Sequence, residues 1–322
     1  MSIVDETGSA PQTTRSPQSN RSAQSTRSAQ PTPATTAMHP ASPGASAERL
    51  DASGLKVTLG RVIESEWIKL RTVRSWVVMI LAAAAGVIAM GALAAAVASG
   101  AVSTPAAPGA AGSGGRNPFG ATDPTAISLA GVNLAQLIVG VLGVLIVSNE
   151  YANGSIRNWF GAVPSRLPVL WGKVIVLAGS LAVVMVLATL AAFLVGQAIL
   201  GDAKGTTLAA DGVLRAVLGS GLYLAGIGVF GIALGSLLRN TAGAIAVVVA
   251  SLLIIPNLIG LVLPDDWSDK VTPYLPSTAG QAFTSVNPAD TLLGSAAGAM
   301  VFAAWLVVLV AAAAVLLRRR DA

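Results

Sequence analysis

The chain has 322 residues, of which 53% are apolar and 11% charged, and its 20 Lys and Arg exceed its 15 Asp and Glu to give a formal net charge of +5. An ordinary globular domain is about 25% charged, so this composition excludes a soluble fold of that length. The sequence contains no cysteine, which excludes disulfides, thiolate metal sites and cysteine nucleophiles.

Residues 1–55 are a separate material. Arg15-Ser-Pro-Gln-Ser-Asn, Arg21-Ser-Ala-Gln-Ser-Thr and Arg27-Ser-Ala-Gln-Pro-Thr form a six-residue repeat with no large apolar position to build a solenoid. The expected state is a disordered, low-complexity tail. It has no apolar stretch near its start and is no secretory signal. The single histidine, His39, lies here beside Pro40, too isolated for a Ser-His-Asp set or a metal cluster.

From residue 56 to 322 the chain reads as one membrane domain. Leu59, Val62, Ile63, Trp67, Leu70 and Val73 recur at helical spacing, with Arg61, Glu64, Ser65, Lys69, Arg71 and Thr72 on the remaining arc. Glu66 and Ile68 blur the stripe. This pattern predicts an amphipathic helix lying in the membrane interface and resting on lipid.

Six stretches then lack Asp, Glu, Lys and Arg altogether: 76–98, 126–148, 174–200, 216–238, 241–263 and 291–317. About 20 apolar residues cross a hydrocarbon core of about 30 Å, so the expected architecture is an all-α membrane protein of six spans. With the N-terminus inside, only Arg116, Lys204, Arg215 and Lys270 face outward, and the other 16 of the 20 basic residues face the cytoplasm. The positive-inside rule therefore predicts cytoplasmic termini at both ends.

The polar groups within the spans are mild. Asn133 and Gln136 share one face of the second span, Gln197 sits in the third, and Asn257 follows Pro256 in the fifth. They either bond helix to helix or face a cargo route; Asn133, Gln136 and Asn257 are the candidates for that route. Pro256 is expected to kink the fifth span, and Gly231-x-x-x-Gly235 to permit close packing in the fourth. Asp265, Asp266 and Asp269 read as a solvated acidic loop on the outer side. No Gly-x-x-x-x-Gly-Lys-Ser/Thr occurs, so the common phosphate-binding loop is missing. No buried carboxylate of the kind that proton-coupled carriers use interrupts the spans. The chain does not read as an enzyme, and a partner must supply energy for uphill transport.

The connection between spans two and three is the most patterned polar segment. It runs Glu150-Tyr-Ala-Asn-Gly154-Ser155-Ile-Arg157, then Asn-Trp159-Phe160-Gly-Ala-Val-Pro164-Ser-Arg166, with Lys173 downstream. Asn153-Gly154 suits a turn, Ser155 can cap a following helix, and Pro164 ends it. Glu-Tyr-x-x-Gly-Ser-Ile-Arg followed by Pro-x-Arg and a Lys resembles the cytoplasmic loop of type-2, exporter-like ABC transporter permeases. Ser65 to Ser75 is similar to the approach to their first span, and Tyr274-Leu-Pro-Ser-Thr-Ala-Gly280 to a region before their last. The resemblance spans about residues 58–320; Ser155 stands where the family commonly has Thr, and the long tail is a departure.

This resemblance implies two permease subunits, the second a copy or a homologue, working with cytoplasmic ABC ATPase subunits that bind the ATP. It implies that Glu150, Gly154, Ser155, Arg157, Trp159, Phe160, Pro164, Arg166 and Lys173 form the ATPase-coupling loop. No cofactor of the chain's own and no nucleic-acid partner is expected. A secondary transporter driven by an ion gradient, and a non-transporting membrane scaffold or sensor partner, are the competing classes.

Overall fold

The computed structural model describes residues 58–102, 123–152, 167–288 and 292–319, all within the compact unit Leu55–Ala322. Residues 1–55, with their repeat, lie outside the described residues. Among the described residues the chain is helical and contains no strand. Helix α1 (Leu59–Thr72) passes through Val73 into α2 (Arg74–Ser99). The short α3 (Pro124–Ser128) precedes α4 (Val132–Ala152), α5 (Leu167–Leu200) and α6 (Val213–Leu238). Then come α7 (Thr241–Val249), a π-helical turn (Ala250–Ile254) and α8 (Ile255–Val262). After α9 (Asp265–Val271), a 3-10 turn (Thr272–Tyr274) and α10 (Pro276–Thr284), α11 (Ser295–Arg319) closes the chain.

Six of these units are long and apolar enough to cross a membrane: α2, α4, α5, α6, the continuous α7–α8 unit and α11. In lipid every backbone N–H and C=O must be satisfied within the segment, which a helix does and an open strand does not. Helix α6 is the hub, with 89% of its most apolar window buried against 11% for α7–α8 and 17% for α11. Apolar burial drives no helix association when the solvent is itself apolar; close packing and hydrogen bonds do. The Gly231-x-x-x-Gly235 stripe of α6 supplies that packing. A Cβ placed on Gly231 would come 3.1 Å from Gly143 Cα and collide with the Gly140 carbonyl oxygen of α4, so the two backbones touch directly.

Three elements differ from the sequence expectation. The second span is not one helix over 126–148. Asp123 caps α3 by accepting from the Ala126 N–H at 2.9 Å, Pro124 occupies its first turn, and the helix ends before Gly131. A Cβ on Gly131 would lie 2.5 Å from the Val87 carbonyl oxygen of α2, so the chain turns there in a space only glycine fits, and α4 starts afresh at Val132. In the fifth span, α-helical bonding gives way to the π turn Ala250–Ile254 just ahead of Pro256. Proline has no N–H to donate and crowds the carbonyl four residues earlier, here that of Leu252, which lies within the π turn. The connection before α11 is not merely an acidic loop. Asp265–Val271 is helical, and α10 buries Pro276, Ser277, Thr278, Ala279, Gly280 and Ala282 against α6 and α11. The Thr278 hydroxyl donates back to the Thr272 and Leu275 carbonyls, locking the turn between them.

Candidate functional site

The end of the bundle where α3, α10 and the N-termini of α4 and α6 meet holds a polar cavity of about 320 Å³. Asn133 and Gln136, one turn apart on α4, form part of its wall, together with Tyr223 of α6 and Thr125 of α3. Gln136 is only 6% exposed, and its Oε1 accepts a hydrogen bond from the Tyr223 hydroxyl at 2.6 Å. Interhelical bonds of this kind contribute about 0.6 to 2 kcal/mol within a membrane.

The surroundings fix Tyr223 in place. Its ring packs at 5.1 Å from Phe302 of α11 and 6.2 Å from Phe283 of α10. Arg215 donates to the carbonyls of Phe283, Ser285 and Val286 at 2.8 to 3.1 Å and so pins the end of α10 beside the cavity. On the far side of α3, Gln197 of α5 donates to Pro124 O and Ser128 Oγ and accepts from the Thr206 N–H. Gln197 is thus a structural tie, holding α3 to α5 and to the segment after it.

Asn257 does not share this cavity. Its Nδ2 donates to Leu253 O at 2.6 Å, one turn back along the same span, in the π turn. The structure therefore brings together two of the three amides expected along a cargo route and leaves the third on α8.

The opposite end of the bundle carries the charges. Lys173, on the second turn of α5, is 6% exposed and donates to Glu66 Oε2 at 2.8 Å; Glu66 is 7% exposed, and its Oε1 accepts from Lys69 at 2.6 Å. Glu66 is the residue that interrupted the apolar stripe of α1, and here it is what α1 buries, together with Val62. Lys173 accordingly lies inside a helix, as an anchor for α1, rather than on an open loop. A cavity of about 270 Å³ adjoins this cluster, walled by Trp76, Asn149, Lys173 and neighbouring side chains.

Of the remaining coupling-loop residues, Glu150 falls in the last turn of α4. Gly154, Ser155, Arg157, Trp159, Phe160, Pro164 and Arg166 lie outside the described residues. Sequence reasoning missed Tyr223, Thr125 and Glu66. A signal existed for two of them: a tyrosine hydroxyl inside an otherwise charge-free span needs a partner, and so does a glutamate on an apolar helix face.

A family model described as ABC-2 family transporter protein matches residues 62–257, more than half of the chain. The match runs from within α1 to α8 and takes in the Glu66–Lys173 pair and the hydrogen bond from Tyr223 to Gln136. No curated protein matches the chain.

Proposed function

The chain belongs to the ABC-2 family of transporter proteins, and from that membership we propose that it is the permease subunit of an ATP-driven exporter, energised by a separate cytoplasmic ATPase and paired with a second permease copy or homologue. Six membrane-crossing helices make it a multi-pass membrane protein. Hydrolysis belongs to the partner, and the permease converts a push on its cytoplasmic side into movement of its helices. We place that push on Glu150 to Lys173.

The observation that carries the reading is the buried Glu66–Lys173 pair at 2.8 Å. A charge pair held out of water tolerates little separation, because each ion left alone would be strongly penalised. It therefore joins α1 to the start of α5, and a displacement delivered just before α5 moves both helices together. The absence of ionisable residues from the apolar spans, where an ion-coupled carrier would hold its ion, supports ATP as the energy source.

The test uses the cytoplasmic ABC ATPase that this reading requires, identified by its co-purification with the parent protein. Seating an aromatic such as Trp159 in a partner groove is worth about 2 kcal/mol, or about 30-fold in affinity. The Arg157→Ala/Trp159→Ala double variant should reach the membrane normally yet lose co-purification with the ATPase, or lose substrate-dependent ATP hydrolysis. A double variant that binds and stimulates the ATPase like the parent overturns the coupling role.

A further inference from the structure

We propose that the cavity between α3, α4, α6 and α10 binds, within a single subunit, a small uncharged solute rich in hydroxyl and amide groups. The proposal rests on the permease reading only for what such binding does in transport; the binding itself stands on the cavity. Its volume of about 320 Å³ falls at the small end of ligand sites and suits a molecule of monosaccharide size.

The chemistry of the wall selects the class. Asn133, Gln136, Gln281 and Asn287 place four side-chain amides on it, each offering two donors and an acceptor. Gln136 commits its Oε1 to Tyr223, while its Nε2 donates to nothing among the described residues and is not sealed from solvent. In the same wall Thr125 is 1% exposed, and its hydroxyl has no partner among the described residues. Buried polar groups in native proteins are nearly always satisfied, so the Thr125 hydroxyl identifies a place where a partner arrives from outside the chain, and the Gln136 Nε2 in the same wall offers it a donor.

Charged and apolar ligands fit worse. Asp123 is the one charged side chain lining the cavity, and it repels an anion. Its Oδ2 is already occupied by the Ala126 N–H, and a single part-engaged carboxylate compensates poorly for stripping water from a cation. Arg215 does not line the cavity and is engaged with three carbonyls. An apolar molecule would cover the Gln136 amide without pairing it. A neutral molecule carrying hydroxyl and amide groups can both donate and accept along the wall.

The full-length chain, purified in nanodiscs without ATPase or nucleotide, is titrated with N-acetylglucosamine and, in parallel, with glucosamine and glucuronate. The neutral sugar should bind about tenfold more tightly than either charged one. Gln136→Leu should weaken its binding by about tenfold, as expected for one lost hydrogen-bonding group. Thr125→Val removes a hydroxyl that bonds to nothing among the described residues, so it should weaken binding about threefold while the unfolding midpoint of the unliganded protein stays level or rises. That opposition of signs separates ligand contact from a structural role, and it decides the matter even if Gln136→Leu fails to fold. Absence of N-acetylglucosamine binding, preference for glucosamine or glucuronate, or parental affinity in Thr125→Val overturns the proposal. With no ATPase in the experiment, such a result leaves the coupling reading untouched, and failure of the coupling test leaves this one standing.

Discussion

Glu66 serves two ammonium groups at once, Lys69 at 2.6 Å and Lys173 at 2.8 Å, but the two are not equivalent. Lys69 keeps 34% of its side chain exposed while Lys173 keeps 6%. The partly solvated contact with Lys69 is worth at most about 1 kcal/mol, whereas removing one member of a buried pair typically costs about 3 to 5 kcal/mol because the other is left desolvated. Glu66→Gln should therefore lower the thermal unfolding midpoint of the purified protein by several degrees, and Lys69→Gln by far less. The Glu66→Leu/Lys173→Met double variant should recover much of the loss, since an apolar pair of similar size has no charge to desolvate. Equal midpoints for Glu66→Gln and the parent would show that the pair does not fasten α1. The hydrogen bond from Tyr223 to Gln136 shows the same economy in neutral form, with one hydroxyl and one amide oxygen satisfying each other across α6 and α4.

At the scale of elements, glycines have opposite meanings depending on what lies opposite them. Gly231 has the α4 backbone against it, whereas Gly86 and Gly179 have nothing within 4 Å of a Cβ. Gly231→Ala should force α6 and α4 apart at a cost of about 1 to 3 kcal/mol. Gly86→Ala and Gly179→Ala should be neutral or stabilising by up to about 1 kcal/mol, because alanine loses less backbone freedom in a helix. Unfolding of the three variants in one lipid environment measures the difference. If Gly231→Ala is as stable as Gly86→Ala, the two helices do not meet at their backbones. The break between α3 and α4 follows the same logic, since the turn fits against α2 only because Gly131 brings no side chain to Val87.

For the whole molecule, six crossings put the α1 end and the α3 end on opposite faces of the bundle, and the basic residues decide which face is cytoplasmic. We expect both chain ends inside, with the Glu66 cluster cytoplasmic and the polar cavity on the outer side. In intact cells, single Ser113→Cys and Ser268→Cys variants should react with a membrane-impermeant thiol reagent, and Ser155→Cys should not. The parent has no cysteine to interfere. Labelling of Ser155→Cys from outside would invert the topology, and with it the placing of ATPase contact and cavity.

The sequence alone determined the class of fold, the number of spans and the family, because each rests on a property that accumulates along a segment. A run of more than 20 residues without charge can be satisfied in lipid only as a helix, whatever its neighbours are. The Glu150 to Arg166 pattern carried the family resemblance in the same local way. What needed the tertiary structure was pairing across distance. Lys173 follows Glu66 by 107 residues and Tyr223 follows Gln136 by 87, and no periodicity in either partner's own helix reveals the other. The α3–α4 break was equally hidden, since the apolar run through residues 126–148 is continuous and only the nearness of α2 makes Gly131 a turn. Asn133 and Asn257 looked alike as amides in apolar spans. Packing separated them, one onto a polar cavity and the other back onto the Leu253 carbonyl of its own span, because a side chain's role in a membrane is set by which unsatisfied group the fold brings within reach.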